Sequence, residues 1–172
     1  MKDYIPEKLK DYYVPISFKC GDNVISEGRL QCSCSNDAFS VQYLGEIEYS
    51  LWKPHISLTD ESIIVLIISC EKCGKSICLF DSSTDGNDAV ATIVEKEETP
   101  ANCSTEKLNI FVCPKCKASH FELKVKYEHP PKNEVIECGI QDYQNTFGWI
   151  WVDLMCVSCK KKFKRFLDFE TG

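Results

Sequence analysis

The chain has 172 residues, which suits either one large domain or two small ones. Its composition is that of a folded soluble protein, and its longest strongly apolar run, residues 63–68, falls far short of the roughly 20 residues that a membrane-spanning helix needs. The formal net charge of −6 argues against a nucleic-acid-binding protein, because such proteins neutralise phosphates with Lys and Arg.

The 12 cysteines are the most informative feature of the composition. The first residues, MKDYIPEKLKDYY, contain no apolar signal-peptide core, which predicts a cytoplasmic protein. Disulfides do not persist in a reducing cytosol, so this density of cysteine indicates metal ligation. In a secreted chain a disulfide framework would be the natural alternative, and the paired spacing of the cysteines argues against it.

In chain order, residues 1–29 are predicted to be an N-terminal extension that Pro6 and Pro15 interrupt. The first unit, residues 30–86, opens with LQCSCSNDAFSVQY and continues through a β-branched run into C-x-x-C. This unit is predicted to contain three strands, over residues 39–43, 63–69 and 76–80. Residues 87–110 contain the acidic run EKEE and are predicted to be a connector, with a candidate short helix near Asp88.

The second unit, residues 111–172, repeats the features of the first in the same order. FVCPKCKASHFELKV again places a close cysteine pair before a Phe-led strand, and WIWVDLMCVSCKKKFKRFLDFE again runs into C-x-x-C and a returning strand. The predicted strands are residues 121–127, 147–154 and 163–167. An insertion at residues 130–146 is predicted to hold a helical turn. Four features that recur in one order indicate a duplicated unit.

The cysteine spacing predicts one structural zinc site in each unit. Zn²⁺ takes four ligands in a tetrahedron, and two cysteines separated by one or two residues at a tight turn can both face one ion. Sites closed within each unit cost less chain entropy than a mixed arrangement with ligands from both units. The predicted fold class is therefore mainly β, with two tandem zinc-ribbon-like antiparallel units and little helix. The two Zn²⁺ ligand sets are Cys32, Cys34, Cys70 and Cys73, and Cys113, Cys116, Cys156 and Cys159.

The remaining cysteines and one histidine leave alternatives to these ligand sets. Cys20 lies beside a glycine and could compete with the first cysteine pair. Cys78 falls in a predicted strand and is interpreted as a small buried apolar residue. Cys103 and Cys138 lie in the insertions and are interpreted as free thiols. His120 could replace a cysteine in the second site, although a turn or strand-edge position accounts for it more simply.

Neither redox nor hydrolytic chemistry is predicted. A redox C-x-x-C belongs at the N-terminus of a helix in a βαβ unit, whereas these pairs flank strands and polar turns. Catalytic zinc keeps an open position and usually includes His or a carboxylate, whereas all-cysteine sites are closed. The sequence also contains no H-E-x-x-H and no phosphate-binding loop, so we expect no enzymatic activity.

Two further patterns in the second unit have both a packing and a binding interpretation. Phe147, Trp149 and Trp151 are predicted to share one strand face, as core residues or as a contact between units or with a partner. The run KKKFKR, residues 160–165, is interpreted as a solvated strand face or as a phosphate contact.

Each unit also has an aspartate at the end of its last predicted strand. Asp81 and Asp168 are expected to accept hydrogen bonds there.

The motifs C-x-C…F-x-V-x-Y, C-x-x-C-G-K…L-F-D and F-x-W-I-W-V…C-x-x-C…F-L-D-F-E-T-G resemble those of bacterial proteins with paired four-cysteine zinc-ribbon halves and no characterised activity. The resemblance covers about residues 30–172 and implies a zinc-ribbon fold. The predicted function is a zinc-binding, non-enzymatic intracellular module that interacts with a protein partner of unknown identity and not with a membrane. The alternative is nucleic-acid binding through the basic second unit, which holds 10 Lys and Arg against 8 Asp and Glu.

Overall fold

The computed structural model describes residues 4–50, 53–57, 63–85, 108–137, 139–140 and 142–171. Within these residues the protein is mainly β, with antiparallel strands, a 3₁₀ turn at Glu7–Leu9 and one short helix, α1 (Lys132–Glu137), which confirms the predicted fold class. The strands are β1 (Tyr13–Cys20), β2 (Val24–Leu30), β3 (Phe39–Leu44), β4 (Glu46–Ser50), β5 (Lys53–Ser57), β6 (Val65–Cys70), β7 (Ser76–Asp81), β8 (Asn109–Ile110), β9 (His120–His129), β10 (Trp149–Cys156) and β11 (Lys162–Glu170).

Each unit contributes the same three-stranded antiparallel arrangement. β3, β6 and β7 lie side by side in the first unit, and β9, β10 and β11 do so in the second. The registers match, because Phe39 lies opposite Cys70 in the first unit and Phe121 lies opposite Cys156 in the second. A register shift interrupts the second and third strands at equivalent places. All six predicted strands are present, with ends shifted by up to three residues.

The two units are joined because β3 also pairs with β9. Phe39 lies opposite Phe121, and Ser40 lies opposite His120. Phe39 and Phe121 are equivalent positions of the duplicated unit, and two equivalent antiparallel strands are related by a local two-fold axis. The axis passes between these two phenylalanines, so the units lie side by side on one sheet instead of forming separate lobes.

One hydrophobic core serves both units. A single buried cluster includes Phe39 and Leu66 of the first unit together with Phe121 and Ile150 of the second. Phe111, which precedes the second cysteine pair, packs against three phenylalanines of the second unit, with ring centroids 4.5 to 5.5 Å apart. This shared burial couples the two units, since neither could be removed without exposing the apolar face of the other.

The N-terminal segment, residues 1–29, contributes two strands to the sheet after its 3₁₀ turn. β1 and β2 form a hairpin, and β2 pairs with β9 along the opposite end from β3. Contrary to the prediction, Pro15 does not end the strand but lies within β1 at the edge of the sheet, where a missing N–H is tolerated. It does disturb the pairing, because the register of β1 with β2 shifts between Pro15 and Ser17. The Tyr13 ring lies against Gly28, and a Cβ at residue 28 would come within 2.4 Å of it, so the hairpin requires glycine there.

Three smaller elements complete the described structure. The β4–β5 hairpin packs against β11, and β8 pairs with β3, although the sequence analysis assigned no strands to these segments. The helical turn expected in residues 130–146 is confirmed as α1. The candidate helix near Asp88 lies outside the described residues. Of the helices that are described, none is long and apolar enough to cross a lipid bilayer.

Candidate metal centres

The first four-cysteine group lies where two turns meet at one end of the first unit. Cys32 and Cys34 come from the turn between β2 and β3, whereas Cys70 ends β6 and Cys73 follows it in the next turn. Cys32 Sγ lies 3.5 Å from Cys73 Sγ, and Cys34 Sγ lies 3.5 Å from Cys70 Sγ. All four sulfurs lie within 4.8 Å of one another.

The second group reproduces this geometry in the second unit. Cys113 Sγ lies 3.7 Å from Cys159 Sγ, and Cys116 Sγ lies 3.5 Å from Cys156 Sγ. Here too the four sulfurs lie within 4.8 Å of one another. The pairs of close sulfurs correspond one to one with those of the first group, and no described cysteine group takes residues from both units. The sulfurs are therefore gathered locally, as expected for a duplication; their assignment as zinc ligands stays a prediction.

Tight turns position the sulfurs in both groups. The carbonyl of Cys70 accepts a hydrogen bond from the N–H of Gly74 at 2.9 Å, and the carbonyl of Cys156 accepts one from the N–H of Lys160 at the same distance. Gly74 has φ 71° and Lys160 has φ 55°. A positive φ is uncommon for a residue other than glycine. The left-handed residue ends each turn and sends the chain back into the returning strand, which leaves the two sulfurs on the same side.

The spacing of the sulfurs fits tetrahedral zinc. Four sulfurs at about 2.3 Å from a central Zn²⁺ have edges of about 3.8 Å, and the closest sulfur pairs here are 3.5 to 3.7 Å apart. All eight are free cysteines instead of disulfide partners. Four soft sulfur donors and no oxygen donor favour zinc over magnesium or calcium.

Hydrogen-bond donors stabilise thiolates within both groups. Burial by itself raises the pKa of the Cys70 thiol, but the backbone N–H of Cys73 and the amide of Asn36 outweigh burial and help to lower that pKa to about 6. In the second group the backbone N–H of Lys161 is the largest influence on Cys159 and helps to lower its pKa to about 7. Each group thus contains a thiol that ionises readily near neutral pH.

One thiol of the second group resists ionisation when no cation is present. The backbone N–H of Ala118 lowers the pKa of Cys116, but burial and the adjacent sulfurs, that of Cys156 foremost, outweigh it and raise the pKa to about 12. Like charges this close oppose each other's ionisation, so four thiolates can coexist only around a shared positive ion.

Asn36 is a residue of the first site that the sequence analysis missed. Its side-chain amide donates to Cys70 Sγ at 3.4 Å and to the carbonyl of Ala38 at 2.7 Å. The available signal was its position two residues after Cys34, beside a sulfur that was predicted to share a metal with Cys70. Among the described residues, no side chain from outside the second group donates a hydrogen bond to one of its sulfurs, so the two sites differ in this outer contact.

The alternative ligands do not join either group. Cys20 is exposed at the end of β1, and Cys78 is half-buried in β7 with its Sγ 3.6 Å from the carbonyl of Phe80. His120 Nδ1 lies 3.4 Å from Glu71 Oε1 at the start of β9, which agrees with the strand-edge interpretation. Two other cysteines, Cys103 and Cys138, lie outside the described residues, so their interpretation as free thiols stays a prediction.

The aromatic strand face is only partly as predicted. Trp149 and Trp151 are half-buried on the outer face of β10 and stack with centroids 5.5 Å apart and planes 10° apart. Phe147 was expected to share their face, but it precedes β10, is 4% exposed and packs in the core with its ring 4.8 Å from that of Tyr127. Strand alternation does not extend to a residue outside the strand.

The basic run and the two aspartates are also located by the structure. Lys162 and Lys164 are exposed on β11 while Phe163 between them is buried, as alternation predicted. Asp81 Oδ1 accepts a hydrogen bond from the N–H of Ser83 at 2.9 Å, at the end of β7. Asp168, in β11, accepts a hydrogen bond from the indole N–H of Trp149 at 2.7 Å. The expected hydrogen-bonding role of both aspartates is confirmed.

Comparison with protein-family models, with curated proteins and with solved structures finds no match to this chain. The resemblance to paired zinc-ribbon proteins therefore stays a prediction, and the class of site rests on geometry. What the fold and the sites define is a mainly antiparallel β-protein with two four-cysteine groups that are able to hold metal ions.

Proposed function

We propose that this chain is a non-enzymatic protein-interaction module whose two zinc-ribbon units are each stabilised by one structural Zn²⁺. The observation that supports this most strongly is the recurrence of a four-sulfur group, with tetrahedral spacing, at equivalent positions of a duplicated fold. The proposed ligands of the first ion are Cys32, Cys34, Cys70 and Cys73, and those of the second are Cys113, Cys116, Cys156 and Cys159.

The role proposed for zinc is structural. Zn²⁺ would neutralise thiolate charge at each group and cross-link two turns that are otherwise held by a few backbone hydrogen bonds. Structural zinc contributes on the order of 10 kcal/mol to folding, which is comparable to the whole stability of a small domain. Free cysteines at this density escape disulfide formation in a reducing compartment, so we place the protein in the cytoplasm.

A binding role fits better than catalysis. Four thiolates complete the coordination of Zn²⁺ and leave no position for water or substrate. The groups also end in turns at the surface, where Cys73 and Cys116 are exposed, so the metal would brace a surface and not line a deep cleft. Small zinc-braced β-units present rigid faces to macromolecules, and the mixed charge of this chain favours a protein over a nucleic acid as the partner.

Elemental analysis of protein purified under reducing conditions tests the metal assignment. We expect two zinc atoms per chain. A strong chelator should remove them, and the native near-ultraviolet circular dichroism should be lost with the metal. One zinc or none in folded, reduced protein would contradict the proposal. A zinc accompanied by iron or another redox metal would contradict its structural role.

A further inference from the structure

A groove crosses the outer face of β2, β9, β10 and β11, and none of the eight grouped cysteines lines it. Two adjoining hollows of about 420 and 390 Å³ share the lining residues Lys124, Asp153 and Lys164 and so form one groove. Its apolar lining includes Ile16, which is 52% exposed, and Met155. Neighbouring strands lie about 4.8 Å apart, so four strands span about 14 Å, the length of about four extended residues.

The groove is a basic area on an acidic protein. Six cationic and four acidic side chains line it, a net charge of +2, whereas the whole chain carries −6. Four of the cations form no ion pair within the described part of the chain, namely Arg29, Lys126, Lys162 and Lys164. Of these, Lys126 already lies over the Trp151 ring, which leaves the other three available. Unpaired cations beside exposed apolar side chains can accept a ligand that supplies both carboxylates and an apolar group.

The position of Arg29 is not explained by the stability of the sheet. Arg29 on β2 lies directly opposite Lys124 on β9, and like charges in this arrangement destabilise a strand pair. Glu27 forms an ion pair with Lys124, and this hydrogen-bonded pairing lowers the pKa of the Glu27 carboxyl. Arg29 has no such acidic partner among the described residues, so its repulsion with Lys124 remains. A carboxylate from a bound ligand would relieve that repulsion.

The duplicated fold shows that this face differs between the two units. By register from the matching cysteines, Trp151 and Asp153 of β10 correspond to Val65 and Ile67 of β6. Val65 and Ile67 are only 5% and 8% exposed, and both faces of β6 are buried along most of its length. In β10 buried and half-buried residues alternate instead. The second unit therefore keeps open, and lines with charge, a face that the first unit covers with apolar residues.

We propose that this groove binds an extended segment of a partner protein in which carboxylates flank an apolar side chain. The inference rests on the protein-interaction role proposed above and specifies its surface. The carboxylates pair with Arg29, Lys162 and Lys164, while the apolar side chain lies against Ile16 and Met155. The binding is weak at high salt, because the pairs are partly exposed to water.

Nucleic acid fits the same groove less well. Four carboxylates among the cations repel a continuous phosphate chain, and one of them, Asp153, lies near the middle of the groove. The Trp151 ring already stacks on Trp149 and has Lys126 Nζ 4.0 Å from its centroid, so it offers no free platform for a base. A peptide avoids both difficulties because its charges are spaced and its side chains are small.

Fluorescence anisotropy with the zinc-loaded full chain tests the proposal. The probes are a labelled peptide of alternating glutamate and leucine, the same peptide with lysine for glutamate, polyglutamate, and oligothymidylate of equal length. We expect the glutamate–leucine peptide to bind most tightly. Arg29→Glu and Lys164→Glu are each expected to weaken it at least about tenfold, a change that corresponds to one lost charged contact. Lys19→Glu makes the same charge change on exposed β1 outside the groove, and should alter binding less than about twofold.

Arg29→Glu also separates binding from folding. The variant places a carboxylate opposite Lys124 and removes the repulsion, so its unfolding temperature should not fall although its peptide affinity does. Equal affinity for polyglutamate, tighter binding of oligothymidylate, insensitivity to both groove variants, or no binding by zinc-loaded protein would each overturn the proposal. Protein that folds without zinc would instead refute the proposed zinc-braced function, so the two failures are distinguishable.

Discussion

Phe39 and Phe121 lie directly opposite each other on β3 and β9, at the local two-fold axis that relates the two units. Both rings are fully buried, and each also lies opposite the first cysteine of a C-x-x-C turn, Cys70 or Cys156. The contact between the units is thus built into the same register that aligns the sulfur groups. Packing at the axis and assembly of the two sites are expected to depend on each other.

Phe121→Ala should destabilise the whole chain by about 3–5 kcal/mol, because it removes a fully buried ring and leaves a cavity at the axis. Unfolding in urea with zinc present, followed separately by tryptophan fluorescence and by zinc release, measures the effect. Both probes should shift together. Ile16→Ala, at a half-exposed position, should change stability by less than about 0.5 kcal/mol. Separate transitions for the two probes would show that the units fold independently.

Cys156→Ser should remove the metal of the second unit and leave that of the first. The expected zinc content falls from two atoms per chain to one, because three thiolates and a hydroxyl bind Zn²⁺ far more weakly than four thiolates. Native mass spectrometry counts the metals directly. Cys20→Ser is the matched control, since its thiol is exposed and outside both groups, and it should retain two. Retention of both metals by folded Cys156→Ser protein would show that the ligands are misassigned.

Asn36→Ala should weaken the first zinc site selectively. The amide donates to Cys70 Sγ, and loss of an outer hydrogen bond to a ligand typically costs 10–100-fold in metal affinity. Competition with a chromophoric chelator should show one zinc released more readily while the other is unchanged. Asn23→Ala, which loses only an exposed bond to Glu128, is the control. Equal weakening of both sites would mean that Asn36 acts through general stability.

Tyr127→Phe should stabilise the protein by about 1 kcal/mol. Its hydroxyl is fully buried and has no hydrogen-bond partner in the described part of the chain, so the variant removes an unsatisfied polar group. Tyr143→Phe, by contrast, loses a hydroxyl that donates to the carbonyl of Pro130 at 3.0 Å and should cost about 1 kcal/mol. Thermal unfolding at neutral pH compares the two. Lower stability of Tyr127→Phe would show that the hydroxyl is satisfied.

The same residue predicts a pH dependence. Burial raises the pKa of Tyr127 well above its ordinary value of 10.0. The folded state holds the hydroxyl proton more tightly than the unfolded state does. The stability that this difference contributes is therefore complete below pH 10 and is lost as the pH rises toward the folded-state pKa. Tyr127→Phe should therefore retain more stability than the native chain above about pH 10. Parallel alkaline unfolding curves for the two proteins would contradict this.

The duplication and the close cysteine pairs could be read from the sequence, because both depend on local spacing. The order of the repeat and the lower entropic cost of closing the shorter loops then assigned the pairs to two groups. A pair of cysteines one or two residues apart at a turn can face one ion whatever the rest of the chain does, as Cys113 and Cys116 do. The apolar alternation of β9 and β10 likewise follows from residues a few positions apart. These features needed no knowledge of long-range contacts.

The partners of β9 were decided only by tertiary structure. β9 pairs with β10 along one edge, and along the other with β2 and, at Phe121, with β3. Which strands meet depends on how separate apolar faces are buried together, and no local pattern records that choice. The same packing turned Pro15 from an expected break into an edge-strand residue, brought Asn36 against a sulfur, and placed Arg29 beside Lys124 at the groove. The sequence alone determined the two cysteine-bearing units; the shared core and the open face arose from burying their surfaces against each other.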